Sequence, residues 1–165
     1  MLVDCVIEEP GWEEAGLEAL AERAATTALA ELGLAPEGFL VVVMGCDDER
    51  IATLNADFRG KPKPTNVLSW PSEERAPEEA GGTPELPEPG DGDDPEELGD
   101  IAIALGVCRR EAEEQQKSFE DHVTHLVIHA VLHLLGYDHE TEEDASLMEG
   151  IEIRALARLG IENPY

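Results

Sequence analysis

Three of the chain's five histidines stand in one short run, His129-Ala-Val-Leu-His133-Leu-Leu-Gly136-Tyr-Asp138-His139. Residues four apart on a helix lie one above the other, so His129 and His133 can present both imidazoles from one face. Gly136 follows three residues later. Glycine enters left-handed backbone without a side-chain penalty, so it can end the helix and swing His139 back toward the first two. Three neutral nitrogen ligands with a fourth position open form the donor set of a catalytic rather than a structural zinc. Such an ion lowers the pKa of a water and polarises a substrate oxygen. We therefore read His129, His133 and His139 as ligands of one Zn2+ per chain. A lone histidine is better read as a packed or solvated side chain, but three at this spacing with a glycine at the turn are not. His125, four before His129, extends the row; since the turn already supplies a third ligand, it reads as a surface or supporting residue. Asp138 is a catalytic candidate with two readings: it orients a ligand imidazole or acts on the water, or it only caps the turn.

The spacing also matches the metzincin metalloprotease pattern H-E-x-x-H-x-x-G-x-x-H, with one gap. Those proteases carry a Glu general base where this chain has Ala130. A metzincin-like metallopeptidase is therefore the second reading. A third is a non-catalytic assembly factor in which the metal only staples the fold.

A second group capable of chemistry is Arg59, Lys61 and Lys63, on a segment stiffened by Pro62 and Pro64. They are three of only eleven basic residues in a chain with a formal charge of -27. Arginine grips phosphate through two parallel charge-assisted hydrogen bonds, and neighbouring lysines add point charges. A patch of this kind can hold an RNA backbone although the rest of the surface repels it; the bland alternative is a charged surface loop. The overall charge argues against a general DNA- or RNA-coating protein, and DNA is not an expected partner.

These residues need a scaffold. The 165 residues suit a single domain, and 42% hydrophobic content is enough for its core. No stretch approaches the roughly 20 apolar residues of a membrane span, and the first ten residues do not read as a signal peptide. Cys5, Cys46 and Cys108 are odd in number and widely spaced, which points to buried free thiols in a reducing cytoplasm. Residues 2–7, 39–44, 65–70 and 100–105 read as strands, the second buried on both faces. Helical spacing runs over residues 12–32, ending at Gly33, and over a segment capped by Asp47 or Asp48 with Ile51, Leu54 and Phe58 on one face. Residues 107–116 also read as helix. Ser118 with Asp121, and Thr141 with Asp144, have the spacing of capping boxes for two last helices, one ending at Gly136 and the other at Gly160. Residues 72–97 are so rich in Pro, Gly, Asp and Glu that a disordered acidic insert is expected. The outcome is an α/β single domain with a small mixed sheet of about four strands packed with helices, and the metal site on a C-terminal helix and its following turn.

The run HAVLHLLGYDH resembles the signature of the YbeY endoribonucleases, a family of bacterial single-domain metalloproteins. Phe58-Arg59-Gly60-Lys61-Pro62-Lys63-Pro64-Thr65-Asn66-Val67-Leu68-Ser69-Trp70 is similar to that family's second block and Leu98-Gly99-Asp100-Ile101 to a third. The final Asn163-Pro164-Tyr165 fits its usual tail. Pro62 stands where an acid is more usual, Trp70 where a Phe is, and the long insert is extra. The resemblance implies zinc held by the three histidines, with Arg59 needed for activity. It also implies cleavage of single-stranded RNA, including maturation of the 3' end of small-subunit ribosomal RNA, and a role in ribosome quality control alongside ribosome-associated proteins in the cytoplasm.

Overall fold

The computed structural model describes residues 2–165. Its elements run β1 (Val3–Ile7), α1 (Gly11–Ala15), α2 (Leu17–Glu31), β2 (Phe39–Cys46), α3 (Asp48–Arg59), β3 (Val67–Pro71), β4 (Glu96–Ala104), α4 (Leu105–Glu114), α5 (Phe119–Leu134) and α6 (Glu142–Arg158). The four strands form one mixed sheet in the order β1-β2-β4-β3. β1 and β4 both run parallel to β2, and β3 returns antiparallel to β4.

Side chains alternate across a strand, and here the alternation divides the core in two. Phe39, Val41 and Val43 of β2, with Ile101 and Ile103 of β4, face the larger cluster, shared with α2, α5 and α6. Cys46, Ala102, Ala104 and Leu68 face the smaller cluster, closed by Ile51 of α3. β3 follows the same rule: Val67 packs on the larger side, Leu68 and Trp70 on the smaller. Ser69, two residues after Val67, therefore points toward α5.

Four details differ from the sequence expectation. Residues 12–32 form two helices, because Gly16 sits in left-handed backbone at φ 76° and closes α1 with its N–H on the Glu13 and Trp12 carbonyls. The break lets Trp12 turn into the core, where its indole N–H is shared between the carbonyls of Cys46 and Ile103 at 3.0 and 3.2 Å. From Phe39 to Met44, β2 is buried only at alternate positions, since α3 covers its second face incompletely. Phe58, expected on the packed face of α3, is 59% exposed.

The fourth concerns the acidic insert. β4 begins at Glu96, not residue 100, and Ser72 pairs with it through N–H to Leu98 O and Oγ to Glu97 O. Arg75 is buried from the same loop and donates to Leu98 O at 3.2 Å and Leu134 O at 3.0 Å. Residues 72–95 contain neither helix nor strand, yet Gly81 N–H reaches Asp144 and Gly90 N–H reaches Gly38 O. Composition alone does not show these ties, because they join backbone groups to one another, to the Ser72 hydroxyl, to the Asp144 carboxylate and to one cation. The thiols follow expectation in part: Cys46 and Cys108 are buried and Cys5 half-buried, all free. Burial pushes Cys46 up to about 12.

Arg75→Ala should cost about 1.5–3 kcal/mol in urea unfolding, the usual value of hydrogen bonds from a charged donor, because Leu134 O loses its charged donor and Leu98 O keeps only the Ser72 N–H. Arg23→Ala, on the open face of α2, should change stability by less than about 0.5 kcal/mol. Equal effects would show that Arg75 anchors nothing.

Candidate metal and phosphate site

Helix α5 begins where Ser118 Oγ accepts from Asp121 N–H at 3.1 Å, the cap expected from sequence. Its sides are apolar almost all round and pack against α2, α4, α6, β3 and β4. His125, His129 and His133 form the one stripe that remains partly exposed, and it faces a cavity of about 590 Å³. At its end Gly136 takes φ 104°, and any side chain there would collide with the backbone of Arg75. The reversal brings His139 over the helix, its ring 5.2 Å from that of His129 between centroids. All three predicted ligands line the same cavity, together with Arg59 and Asp138.

Each helical histidine is held from behind. Ser69 Oγ lies 2.6 Å from His133 Nδ1. With the proton on Nδ1 and donated to Ser69, the Nε2 lone pair of His133 is free. Glu152, fully buried on α6, accepts from His125 Nε2 at 2.6 Å, from Tyr165 Oη at 2.9 Å and, at the long limit of 3.4 Å, from His129 Nδ1. That again leaves Nε2 of His129 available. Carboxylates and hydroxyls that fix the tautomer of an imidazole from its far nitrogen are the usual support of metal-binding histidines. Burial alone would raise the Glu152 carboxyl, but the hydrogen bonds from His125 and His129 overcome it and hold the group at about 2. Burial pulls the His133 imidazole below its ordinary value; Asp138 opposes this, and His129, His139 and Arg59 add to it. The neutral form is the one that binds metal.

Among the described residues, no group of three His, Cys, Asp or Glu donors is already closed tightly enough to hold an ion. The donor set nonetheless suits one. Three imidazoles share a cavity, the two on the helix have their Nδ1 atoms occupied, and His139 is exposed on the turn beside them.

Asp138 takes the capping geometry: its Oδ1 accepts from the His139 N–H at 2.7 Å. Arg59, Lys61 and Lys63 are all exposed and make no ion pair among the described residues. Arg59 lines the cavity, whereas Lys61 and Lys63 lie on the loop beyond it. Asn55 ties that loop back to α3 by donating to Lys63 O at 2.9 Å. Asn66, which also lines the cavity, donates to Glu111 at 3.1 Å, and Glu111 accepts from buried His122 at 2.9 Å.

Sequence reasoning did not find Ser69 or Glu152. Glu152 had a readable signal: Met148, Ile151, Ala155 and Leu156 form the apolar stripe of α6, and Glu152 sits inside it. Ser69 had none, since its role depends on how β3 faces α5.

These features define a small α/β domain in which the buried helix and its glycine turn present three histidines, and the end of α3 an arginine, to one cavity. A family model described as Endoribonuclease YbeY matches residues 5–160. Relatives bearing that name are similar along almost the full length. The protein of Cereibacter sphaeroides is 64% identical over 164 residues, covering 99% of this chain and 98% of its own. That of Dinoroseobacter shibae is 55% identical over 163 residues, covering 99% and 90%. The solution structure of TM1509 from Thermotoga maritima shares the fold, with a TM-score of 0.56 at 24% identity over 96% of this chain and 92% of its own. The chain belongs to the endoribonuclease YbeY family.

Glu152 provides a test of the network. Its carboxyl is held below the usual 4.5 in the folded state, so its contribution to stability is present above that pH and fades as pH falls toward 2. In chelator-treated protein, the wild type should lose on the order of 3 kcal/mol more than Glu152→Gln between pH 5 and pH 2. Parallel pH profiles of the two proteins would contradict the network.

Proposed function

We propose that this chain is a zinc-dependent endoribonuclease that cleaves single-stranded RNA in ribosomal RNA processing, including maturation of the small-subunit 3' end, and acts in ribosome quality control in the cytoplasm. The observation that carries the reading is the placement of Arg59 in the same cavity as His129, His133 and His139. Membership of an endoribonuclease family supports the RNA substrate. No helix among the described residues is long and apolar enough to cross a membrane.

His129, His133 and His139 would hold one zinc ion, which when bound supplies Lewis-acid polarisation of the scissile phosphate and eases formation of a nucleophile from water. Ser69 and Glu152 hold the helical imidazoles in the tautomer that offers Nε2. Arg59, with no carboxylate partner, is free to make two parallel hydrogen bonds to phosphate oxygens as charge grows on them. Lys61 and Lys63, outside the cavity, attract the neighbouring backbone rather than the reacting group. Asp138 sets the turn that carries His139 and adds negative charge beside His133. The peptidase reading gains nothing here, because the position of its general base is Ala130, a methyl group only 1% exposed.

The protein should bind about one zinc per chain by elemental analysis, and His133→Ala should lose it. Full occupancy in that variant would remove His133 from the ligand set. Defined single-stranded RNA should be cut by the zinc-loaded protein and not after chelation, while peptides remain intact. Arg59→Glu should lower RNA turnover roughly 100-fold with zinc retained. Lys61→Ala and Lys63→Ala should be milder. Undiminished cleavage by Arg59→Glu would exclude Arg59 from the reaction.

A further inference from the structure

Phe58, next to Arg59, lies outside both core clusters. The chain has only three Phe, two Trp and two Tyr, yet Phe58 leaves 59% of its surface in solvent. It stands in the last turn of α3 and lines the same cavity as Arg59 and the histidines. Its ring is braced edge-on against Trp70 at 5.3 Å and 73°, in an edge-to-face pair. Trp70 is itself set by β3, where it opposes Asp100 of β4. An exposed aromatic ring held by a second ring, beside an arginine without an ion-pair partner, matches the two surfaces of a nucleotide: a flat apolar base and a charged phosphate.

We propose that Phe58 is a stacking platform for one base of the single-stranded RNA whose phosphate Arg59 holds; this rests on the endoribonuclease reading above. Every base has a π-face, so the contact fixes the strand's position without reading its sequence. A base inside a duplex already has both faces stacked and cannot offer one without being splayed out. Phe58 thereby favours unpaired RNA, and it does so without touching the reacting atoms, as a positioning residue. The contact is made on binding and kept through the reaction, so it should appear in KM rather than kcat.

The test uses the zinc-loaded full-length protein and a short unstructured RNA, with a series of the same RNA carrying one abasic site at each position in turn. Phe58→Leu keeps apolar bulk against Trp70 and loses the flat face, while Phe58→Trp keeps the face; thermal melting checks that both are folded. Phe58→Leu should raise KM about 5- to 100-fold, with kcat within about twofold, and Phe58→Trp should restore it. At one RNA position, removing the base should raise KM for the wild type and have little further effect on Phe58→Leu, so that the two changes do not add. Wild-type cleavage with KM unchanged in Phe58→Leu, or strictly additive effects at every position, would overturn the stacking role and leave the endoribonuclease reading intact. A failure of Phe58→Trp to restore KM would also overturn it. Failure of the wild type to bind or cut any RNA would overturn the endoribonuclease reading itself, and this inference with it.

Discussion

The burial of helix α5 is the constraint from which the rest of the site follows. Five elements enclose it, and each large apolar side chain it buries contributes about 1.5–3 kcal/mol relative to exposure. A helix so enclosed can neither rotate nor slide without opening cavities. His125, His129 and His133 are therefore confined to the single unclosed stripe, and the end of the helix lies where Gly136 must turn. The turn is locked in place by Arg75, which donates to Leu134 O from a loop that otherwise looks featureless. Scaffold and site are thus one arrangement: the contacts that stabilise α5 also aim its imidazoles.

Around that helix the polar groups have a division of labour. Ser69 and Glu152 reach the far nitrogens of His133 and His129 from two elements packed on α5, β3 and α6. The buried carboxylate of Glu152 is tolerable because three donors meet it; an unpaired charge in that position would cost several kcal/mol. Arg59 comes from a third element, α3, on the opposite side of the sheet from α5, and remains without a counter-charge although the chain is strongly acidic. Under the proposed function, the acidic remainder of the surface would confine RNA contact to the neighbourhood of that one cavity.

What could be read in the sequence was what is local. The H-x3-H-x5-H run is legible because helix geometry alone places His129 above His133, and the glycine turn needs only Gly136. The capping residues Ser118 and Thr141 were legible for the same reason, as were the four strands and their mixed arrangement. What escaped depends on tertiary packing. Glu152 meets His129 only once α6 lies against α5, and Ser69 meets His133 only through the facing of β3. Phe58 has the spacing of a packed residue, but α3 is covered too thinly to bury it. Arg75 lies in a stretch whose composition forecasts disorder, and its hydrogen bonds to two carbonyls of distant elements leave no trace in the sequence.

The proposed chemistry of the cavity depends on His129, His133 and His139 holding one zinc ion. X-ray absorption at the zinc edge of the fully loaded protein tests it most directly. Three histidine ligands should give a first shell of nitrogen and oxygen at about 2.0–2.1 Å, with the outer-shell scattering of three imidazole rings and no sulfur. A thiolate shell at about 2.3 Å, or a light-atom shell without imidazole scattering, would contradict it.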